Sequence, residues 1–244
     1  MGCHVLAVFR AGEDKLRSCL ASRVSFQRCS AANPDARELA KLKRLATPIR
    51  FEGWQTIFSE GDAARSAFGL SHGVVRLYRL LPDGRRQVVA FAFPGDFLAM
   101  PLADRFSFSA DAMGEVSVCK FPHEELKHLI ETSLNIMRLL IEFAARELQS
   151  AQDQLTLLGN ASAEERVVAF LVNWRRRVAR LTPVSQAVPL PMRRQDIADF
   201  LGLKLETVSR TFAKLEKKDV IRIVPHGVVL TGLEQSELVA GRNE

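Results

Sequence analysis

Long apolar segments are missing from this sequence. No apolar run approaches the roughly 18 residues that a membrane-spanning helix requires. The short N-terminal patch VLAVF follows no basic region and leads to no clear cleavage site, so we expect no secretion signal. Cysteine is scarce as well, with four in 244 residues, which is too few for a disulfide scaffold. Together these absences predict a reduced, cytoplasmic protein without a membrane partner.

Catalytic patterns are absent too. The sequence contains no Ser/His/Asp set, no phosphate-binding loop and no zinc-ligand spacing. The five histidines are scattered along the chain, at His4, His72, His123, His128 and His226. We therefore do not expect an enzyme.

Positive charge is present, and it is concentrated in one segment. The whole chain carries a formal net charge of +6. Residues 171–222 hold twelve lysines and arginines against five acidic residues, whereas the rest of the chain is nearly balanced. A basic segment in a balanced chain favours a polyanionic partner, and double-stranded DNA comes first. A basic surface without any partner is the alternative.

The apolar pattern divides the chain into four regions and predicts an α+β fold. Residues 1–35 are expected to be a loosely structured arm that holds three of the cysteines. Residues 36–133 contain short alternating runs between turn signals such as LPDG, which is typical of an antiparallel sandwich or barrel. Residues 134–159 are predicted to be one long helix, and residues 160–238 a C-terminal domain of helices followed by strands.

Apolar residues recur in the long helix with a strict period of 3.5. The intervals alternate between four and three residues over three heptads. This spacing is the signature of a coiled-coil seam, so we predict that the helix pairs with a second copy of the chain. Packing of the helix entirely on its own chain is the alternative. The predicted seam residues are Met137, Ile141, Ala144, Leu148, Ala151, Leu155 and Leu158.

The segment after residue 193 predicts a helix–turn–helix. The first helix is expected over residues 194–201, the turn at Gly202 and Leu203, and the second helix over residues 205–217. Val208, Phe212 and Leu215 are spaced to form the buried face of the second helix. The residues that follow are predicted to form a strand–turn–strand wing.

The opposite face of the second helix carries side chains that suit base readout. Arg210 can donate two hydrogen bonds to guanine, Glu206 can accept one from cytosine, and Ser209 can do either. Phosphate contacts are predicted for Thr207, Lys214, Lys217 and Lys218. In the alternative interpretation, the chain is a ligand-binding regulatory protein and this helical pair is only an interaction module.

These motifs resemble the CRP/FNR family of bacterial transcription regulators. The resemblance covers residues 38–236 and rests on EGD, VVRLYRLLPDGRRQVVAFAFPGDFL, AEERVVAFL and DFLGLKLETVSR. The E-x-x-S-R pattern of Glu206, Ser209 and Arg210 is specific to the FNR-like branch. LLPDGRRQ and PGDFLAM are most similar to the FixK and FnrN group of nitrogen-fixing rhizobia. The resemblance implies an N-terminal β-roll like that of cyclic-nucleotide-binding proteins, a homodimer and a winged helix–turn–helix.

The resemblance also implies a function. Members of this group regulate, mainly by activation, genes for nitrogen fixation and for microaerobic or anaerobic metabolism. Their operator is a palindrome of the TTGAT…ATCAA kind, and RNA polymerase is an implied partner. The sequence departs from the family at Lys204, where a Thr or Ser helix cap is usual.

The resemblance implies two candidate signals that the protein could sense, a cyclic nucleotide and oxygen. A cyclic nucleotide would need a Glu near Met100 and an Arg near Phe106; both are absent, so this ligand is not expected. An FNR-type 4Fe-4S cluster would need about four thiolates. Cys119 matches the family position in the β-roll, while Cys19 and Cys29 lie in about the right region. Cys3 would have to replace the usual third N-terminal ligand. Four small buried cysteines are the alternative to a direct oxygen sensor.

Overall fold

The computed structural model describes residues 36–99, 104–181 and 187–231. The chain forms two compact units, whose boundary lies between Ser150 and Ala151 inside one long helix. Among the described helices, none is both long and apolar enough to cross a membrane.

The first unit begins with α1 (Ala36–Leu45) and continues as eight strands. They form two four-stranded sheets, in the orders β1-β8-β3-β6 and β2-β7-β4-β5, with all described pairings antiparallel. The antiparallel β-unit predicted from the alternating runs is therefore confirmed. The strands are β1 (Thr47–Phe51), β2 (Thr56–Phe58), β3 (Ser66–His72), β4 (Val75–Leu80), β5 (Arg86–Ala92), β6 (Phe97–Ala99), β7 (Ser109–Ala112) and β8 (Val116–Pro122).

Strands β4 and β5 form the hairpin expected around LPDG. The Gly84 amide donates to the Leu81 carbonyl at 2.9 Å, and Gly84 adopts the left-handed φ of 80° that glycine tolerates. The Asp83 carboxylate accepts from the Arg85 amide at 3.0 Å. These local bonds fix the turn and thereby the register that pairs Leu80 with Arg86.

An apolar cluster drawn from both sheets forms the core of the first unit. It contains Val75, Leu77 and Ala110, and it is reinforced by phenylalanines. The rings of Phe58 and Phe106 are stacked with centroids 4.1 Å apart, and Phe68 lies 5.5 Å from Phe58. Strand residues that point inward are thus apolar on both sheets, as the period of two requires.

Two helices follow the strands: α2 (His123–Thr132) and the long α3 (Leu134–Asn160). Ser133 lies between them and accepts a hydrogen bond from the Ile136 amide at 3.2 Å. The Glu38 carboxylate accepts from Ser133 Oγ at 2.5 Å and from Asn135 Nδ2 at 3.0 Å. A carboxylate at a helix N-terminus is favourable because the helix dipole is positive there. Through these hydrogen bonds, Glu38 on α1 holds the start of α3 against α1.

The second unit contains α4 (Ala163–Leu181), β9 (Ala187–Pro189), α5 (Arg194–Leu201), α6 (Leu205–Lys217), β10 (Ile221–Val224) and β11 (Gly227–Leu230). The strands pair antiparallel in the order β10-β11-β9. Ser162 caps α4: its amide donates to the Glu165 carboxylate at 2.8 Å, and its Oγ accepts from the Glu165 amide at 3.3 Å. This reciprocal pair is a capping box.

Candidate nucleic-acid interface

Helices α5 and α6 are joined by a tight turn at Gly202. Gly202 has a φ of 62°, and its amide donates to the Ala198 carbonyl. The Leu203 amide donates to the same carbonyl at 3.0 Å. A glycine in the left-handed region ends α5 without the strain that a Cβ would add. The bounds predicted for both helices and the turn are confirmed.

The two faces of α6 differ in chemistry. Val208, Phe212 and Leu215 are at most 1% exposed, as their spacing predicts. Glu206, Ser209 and Arg210 are exposed on the other side, which is the face that carries the predicted base contacts. Arg210 lies back along its own helix, with its Nε 3.3 Å from the Glu206 carbonyl. This single long bond leaves the exposed guanidinium donors facing solvent.

The lysines predicted to contact phosphate differ in whether they already form an ion pair. Lys217 is exposed, and its side chain makes no ion pair or hydrogen bond with the described residues. Lys214 and Lys218 instead place their Nζ atoms 2.6 and 2.5 Å from the two carboxylate oxygens of Glu164 on α4. Hydrogen bonds from Lys214 and then Lys218 lower the pKa of Glu164. DNA phosphates would therefore have to compete with Glu164 for these two cations.

The start of α6 departs from the usual cap. Lys204 occupies the N-cap position without a side-chain hydrogen bond to the helix, and it is exposed. Thr207 is half-buried in the first turn. The first helical residue, Leu205, is 38% exposed, which sequence periodicity did not single out. An exposed apolar residue beside Glu206 suits contact with a thymine methyl group.

The predicted wing is confirmed as β10 and β11, and β9 pairs with β11 as a third strand. The turn consists of Pro225 and His226, and His226 has a φ of 60°. Gly227 follows it because a Cβ there would lie 2.4 Å from the Val188 carbonyl oxygen on β9. The wing tip is thus held in place by backbone geometry at two consecutive residues.

Arg194 makes a contact between α5 and α6 that the sequence did not predict. It begins α5, and its guanidinium carbon lies 3.3 Å from the centroid of the Phe212 ring. Burial lowers the pKa of Arg194 to about 10, so it remains protonated at neutral pH. The stack fixes α5 on the buried side of α6 by a cation–π contact. Because the two residues lie in different helices, no spacing rule would have paired them.

Helix α3 exposes a row of large apolar side chains. Ile141, Leu148 and Leu155 are 61%, 62% and 69% exposed, and Ala144 and Ala151 are exposed between them. Leu134, one heptad before Ile141, is 71% exposed and extends the row beyond the predicted seam. At the two ends, Met137 is half-buried against the cluster around Phe121, and Leu158 is half-buried.

The β-unit does not offer a cation where a cyclic phosphate would need one. Phe106, at the position expected for the arginine, is 9% exposed and stacks on Phe58. Arg105 instead donates to the Gly61 carbonyl at 2.7 Å. The other expected position, Met100, lies outside the described residues. A buried phosphate next to Phe106 would have no compensating charge from that position.

A buried arginine of this unit is neutralised by its own chain. Arg76 lies on β4 and is only 5% exposed. Its Nη2 lies 2.6 Å from Asp111 Oδ2, and Thr56 Oγ1 donates to Asp111 Oδ1 at 2.9 Å. Burial raises the pKa of the neighbouring Tyr78 phenol, with the Asp111 charge as the next cause. The pairing explains how a charged side chain is buried here.

Cys119 is the only candidate cluster ligand within the described residues; Cys3, Cys19 and Cys29 lie outside them. It is 1% exposed on β8 and packs with Ala67, Phe121 and Leu126. Its sulfur forms a disulfide, whereas the sequence predicted a reduced thiol. The described residues contain no group of three or more metal-ligating side chains.

Two protein-family models match the chain. The model of the Cyclic nucleotide-binding domain matches residues 48–133. The model of the Crp-like helix-turn-helix domain matches residues 165–235. The first match covers the strands and α2, and the second covers the helix–turn–helix and its wing.

Known proteins are similar over most of the chain. It is 52% identical over 200 residues to the Transcriptional activatory protein AadR of Rhodopseudomonas palustris, covering 82% of this chain and 83% of AadR. It is 49% identical over 206 residues to the Nitrogen fixation regulation protein FixK of Bradyrhizobium diazoefficiens, covering 84% and 87%. The solved structure of FixK2 from Bradyrhizobium japonicum matches with a TM-score of 0.74 and 33% identity, over 80% of this chain and 96% of that one.

Proposed function

The chain belongs to the CRP/FNR family of transcription regulators, and on this premise we propose that it binds a palindromic operator of the TTGAT…ATCAA kind as a homodimer. It regulates transcription, mainly as an activator, of genes for nitrogen fixation and for microaerobic or anaerobic metabolism. RNA polymerase is its further partner because activation acts on the polymerase. Since its operator is bacterial DNA, the protein works in the cytoplasm. It is a regulator and not an enzyme.

The division of α6 into two faces carries the proposal. Its buried face anchors the helix, while Glu206, Ser209 and Arg210 are exposed together near its N-terminal half. A recognition helix presents its N-terminal residues to base edges in the major groove. The lysines of α6 and the wing follow these three residues in the sequence. This order is the one expected for elements that contact DNA phosphates.

The exposed row on α3 supports the homodimer. Isolated exposed leucines are ordinary, but Leu134, Ile141, Leu148 and Leu155 recur every seven residues at 61–71% exposure. A heptad row of this kind is buried when a second helix packs along it. A second copy of the chain carries the same row, so pairing of the two helices would bury both rows.

We propose further that dimerisation and operator binding need neither a cyclic nucleotide nor an iron–sulfur cluster. Phe106 fills the place of the phosphate-binding arginine, and Cys119 is packed in an apolar cluster. The predicted seam carries no charged residue that a signal would have to overcome. Regulation by the abundance of the protein follows from this proposal. A direct oxygen sensor with four cysteine ligands is the alternative outcome.

Binding of iron-free protein to a fluorescent duplex tests both proposals. We expect the wild type to prefer the palindrome over a scrambled duplex, and to sediment as a dimer. Arg210→Ala should cost about 1–3 kcal/mol at each half-site, or roughly tenfold or more in affinity. Arg37→Ala makes the same charge change on an exposed residue of α1 and should have no effect.

Each contrary result has a separate meaning. If Arg210→Ala keeps the full preference for the palindrome, the assignment of α6 as the recognition helix is wrong. A wild type that shows no preference for any palindrome would favour the interaction-module interpretation. If iron-free protein is monomeric and gains operator binding only with about four irons and four sulfides per chain, the cofactor-independent proposal is wrong.

A further inference from the structure

Arg166 lies at the start of α4, within the motif AEERVVAFL. The capping box of Ser162 and Glu165 fixes the first turn of this helix, and the Arg166 amide donates to the Ser162 carbonyl at 2.9 Å. The side chain is half-buried. Its place in the helix is therefore set locally, and its guanidinium projects from a rigid element.

The guanidinium of Arg166 binds three backbone carbonyls from two other helix ends. Nη2 donates to the Leu158 carbonyl at 2.7 Å and Nε to the Ala161 carbonyl at 2.9 Å. Nη1 donates to the Leu201 carbonyl at 3.2 Å. Leu158 lies in the last turn of α3, Ala161 directly follows the last residue of α3, and Leu201 is the last residue of α5.

These acceptors need a donor from outside their helices. The last four carbonyls of a helix have no intrahelical partner, and they form the negative end of the helix dipole. Arginine suits the position because its planar fork carries five donors and a permanent charge. A lysine would bring the charge but could not reach three carbonyls in the same geometry.

Two more contacts join the same helix ends. Gln154 Nε2 on α3 donates to the Phe200 carbonyl on α5 at 3.2 Å. A Cβ built on Gly202 would lie 3.8 Å from Leu158 Cδ2, so the turn approaches α3 to van der Waals distance. The end of α3 is thus joined to the end of α5 by two polar side chains and one apolar contact.

We infer that Arg166 is a positioning residue that fixes the helix–turn–helix on the end of α3 and thereby sets the half-site spacing that the dimer accepts. Helix α3 runs without a break from the exposed apolar row to Leu158, and α5 is followed directly by the recognition helix. In a two-fold dimer, the separation of the recognition helices dictates the separation of the half-sites. The inference rests on the proposed operator-binding homodimer.

The test compares Arg166→Met with wild type on three duplexes: the palindrome, the same palindrome with one central base pair inserted, and a single half-site. The insertion moves one half-site by about 3.4 Å. We expect the wild type to prefer the natural spacing by on the order of tenfold or more, and Arg166→Met to lose most of that preference. Affinity for the single half-site should stay unchanged, because no base contact is removed.

Arg180→Met is the matched control. Arg180 is exposed in the last turn of the same helix, and its substitution makes the same change in charge. It should leave the ratio between the two spacings at the wild-type value, even if it weakens binding to all three duplexes. A general loss of charge or stability lowers all affinities together, whereas a positioning role changes the ratio.

Arg166→Lys and Gln154→Ala decide the matter if Arg166→Met does not fold. We expect a partly reduced spacing preference in both, since each removes only some of the bonds. A wild-type ratio in every soluble variant would overturn the inference. A wild type that binds the palindrome no better than a single half-site would instead count against the proposed homodimeric function.

Discussion

Helices α3 and α6 both have apolar residues at helical spacing, but they use them in opposite ways. In α6, Val208, Phe212 and Leu215 are buried by the protein's own core, and the exposed face is polar. In α3, Leu148 and Leu155 remain more than 60% exposed. An exposed apolar row favours binding to another protein surface, whereas an exposed polar face with cations favours binding to a polyanion. The comparison separates the surface for self-association from the surface for DNA.

Breaking the α3 surface should have the largest effect. Leu148→Glu places a charge in the middle of the apolar row on both helices of a dimer. Loss of leucine burial alone costs about 1.5–3 kcal/mol per side chain, and two side chains are lost. We expect a monomer in sedimentation at micromolar concentration, with near-wild-type helix content. Tight binding to the palindrome should be lost with it.

Ser150→Glu is the control for this prediction. Ser150 is exposed two residues further along α3 and lies outside the predicted row, so the added charge faces away from the seam. It should remain a dimer. A dimeric Leu148→Glu protein would show that the exposed row is not the surface that pairs.

A substitution at the start of α6 should have a smaller effect, and it tests the DNA-binding surface. Leu205 lies one heptad before the buried Phe212, but at the first turn of the helix it is 38% exposed. If it contacts a thymine methyl group, removing either partner should cost about 0.8 kcal/mol, the value of one buried methyl or methylene group. We expect Leu205→Ala to weaken operator binding by about fourfold for each half-site, as measured by fluorescence anisotropy.

Deoxyuridine gives this prediction its control, because it lacks only the methyl group. Replacing thymine by deoxyuridine in the half-sites should weaken the wild type but should not weaken Leu205→Ala further. The same replacement outside the half-sites should change neither protein. Equal sensitivity of both proteins to half-site deoxyuridine would contradict the methyl contact.

Local signals explain what the sequence could predict. The bounds of α5 and α6 follow from the apolar spacing of Val208, Phe212 and Leu215 and from one glycine, all within a few residues of each other. The β4–β5 hairpin follows likewise from LPDG. Such features are determined by neighbours along the chain, so a single sequence contains them.

Pairings between distant segments could not be predicted in the same way. Arg76 and Asp111 are 35 residues apart, and the Arg166 and Leu201 contact also spans 35 residues. A lone arginine in a strand or helix has no periodic signal that names its partner. The sequence therefore indicated which face of α6 is exposed, but it did not show that Glu164 already holds two of the lysines.

The smallest effect should come from those lysines. Glu164→Gln removes the carboxylate that Lys214 and Lys218 contact, while both lysines remain at least half exposed. Because exposed ion pairs contribute about 0–1 kcal/mol, the free energy of unfolding should fall only slightly at neutral pH. The lowered pKa of Glu164 means that this contribution is present above the ordinary glutamate pKa and is lost as the pH falls through the lowered value.

The same variant should strengthen non-specific DNA binding. If both lysines then reach phosphates, the plot of log affinity against log salt concentration should steepen by about 0.9 for each new contact. Lys217→Ala is the comparison, because Lys217 does not contact Glu164, and it should reduce the slope equally with either residue at position 164. An unchanged slope in Glu164→Gln would mean that Lys214 and Lys218 stabilise the packing of α6 on α4 and do not bind DNA. Lys214 and Lys218, near the end of α6, would then have a structural role, and DNA binding by α6 would depend on Arg210 and its neighbours.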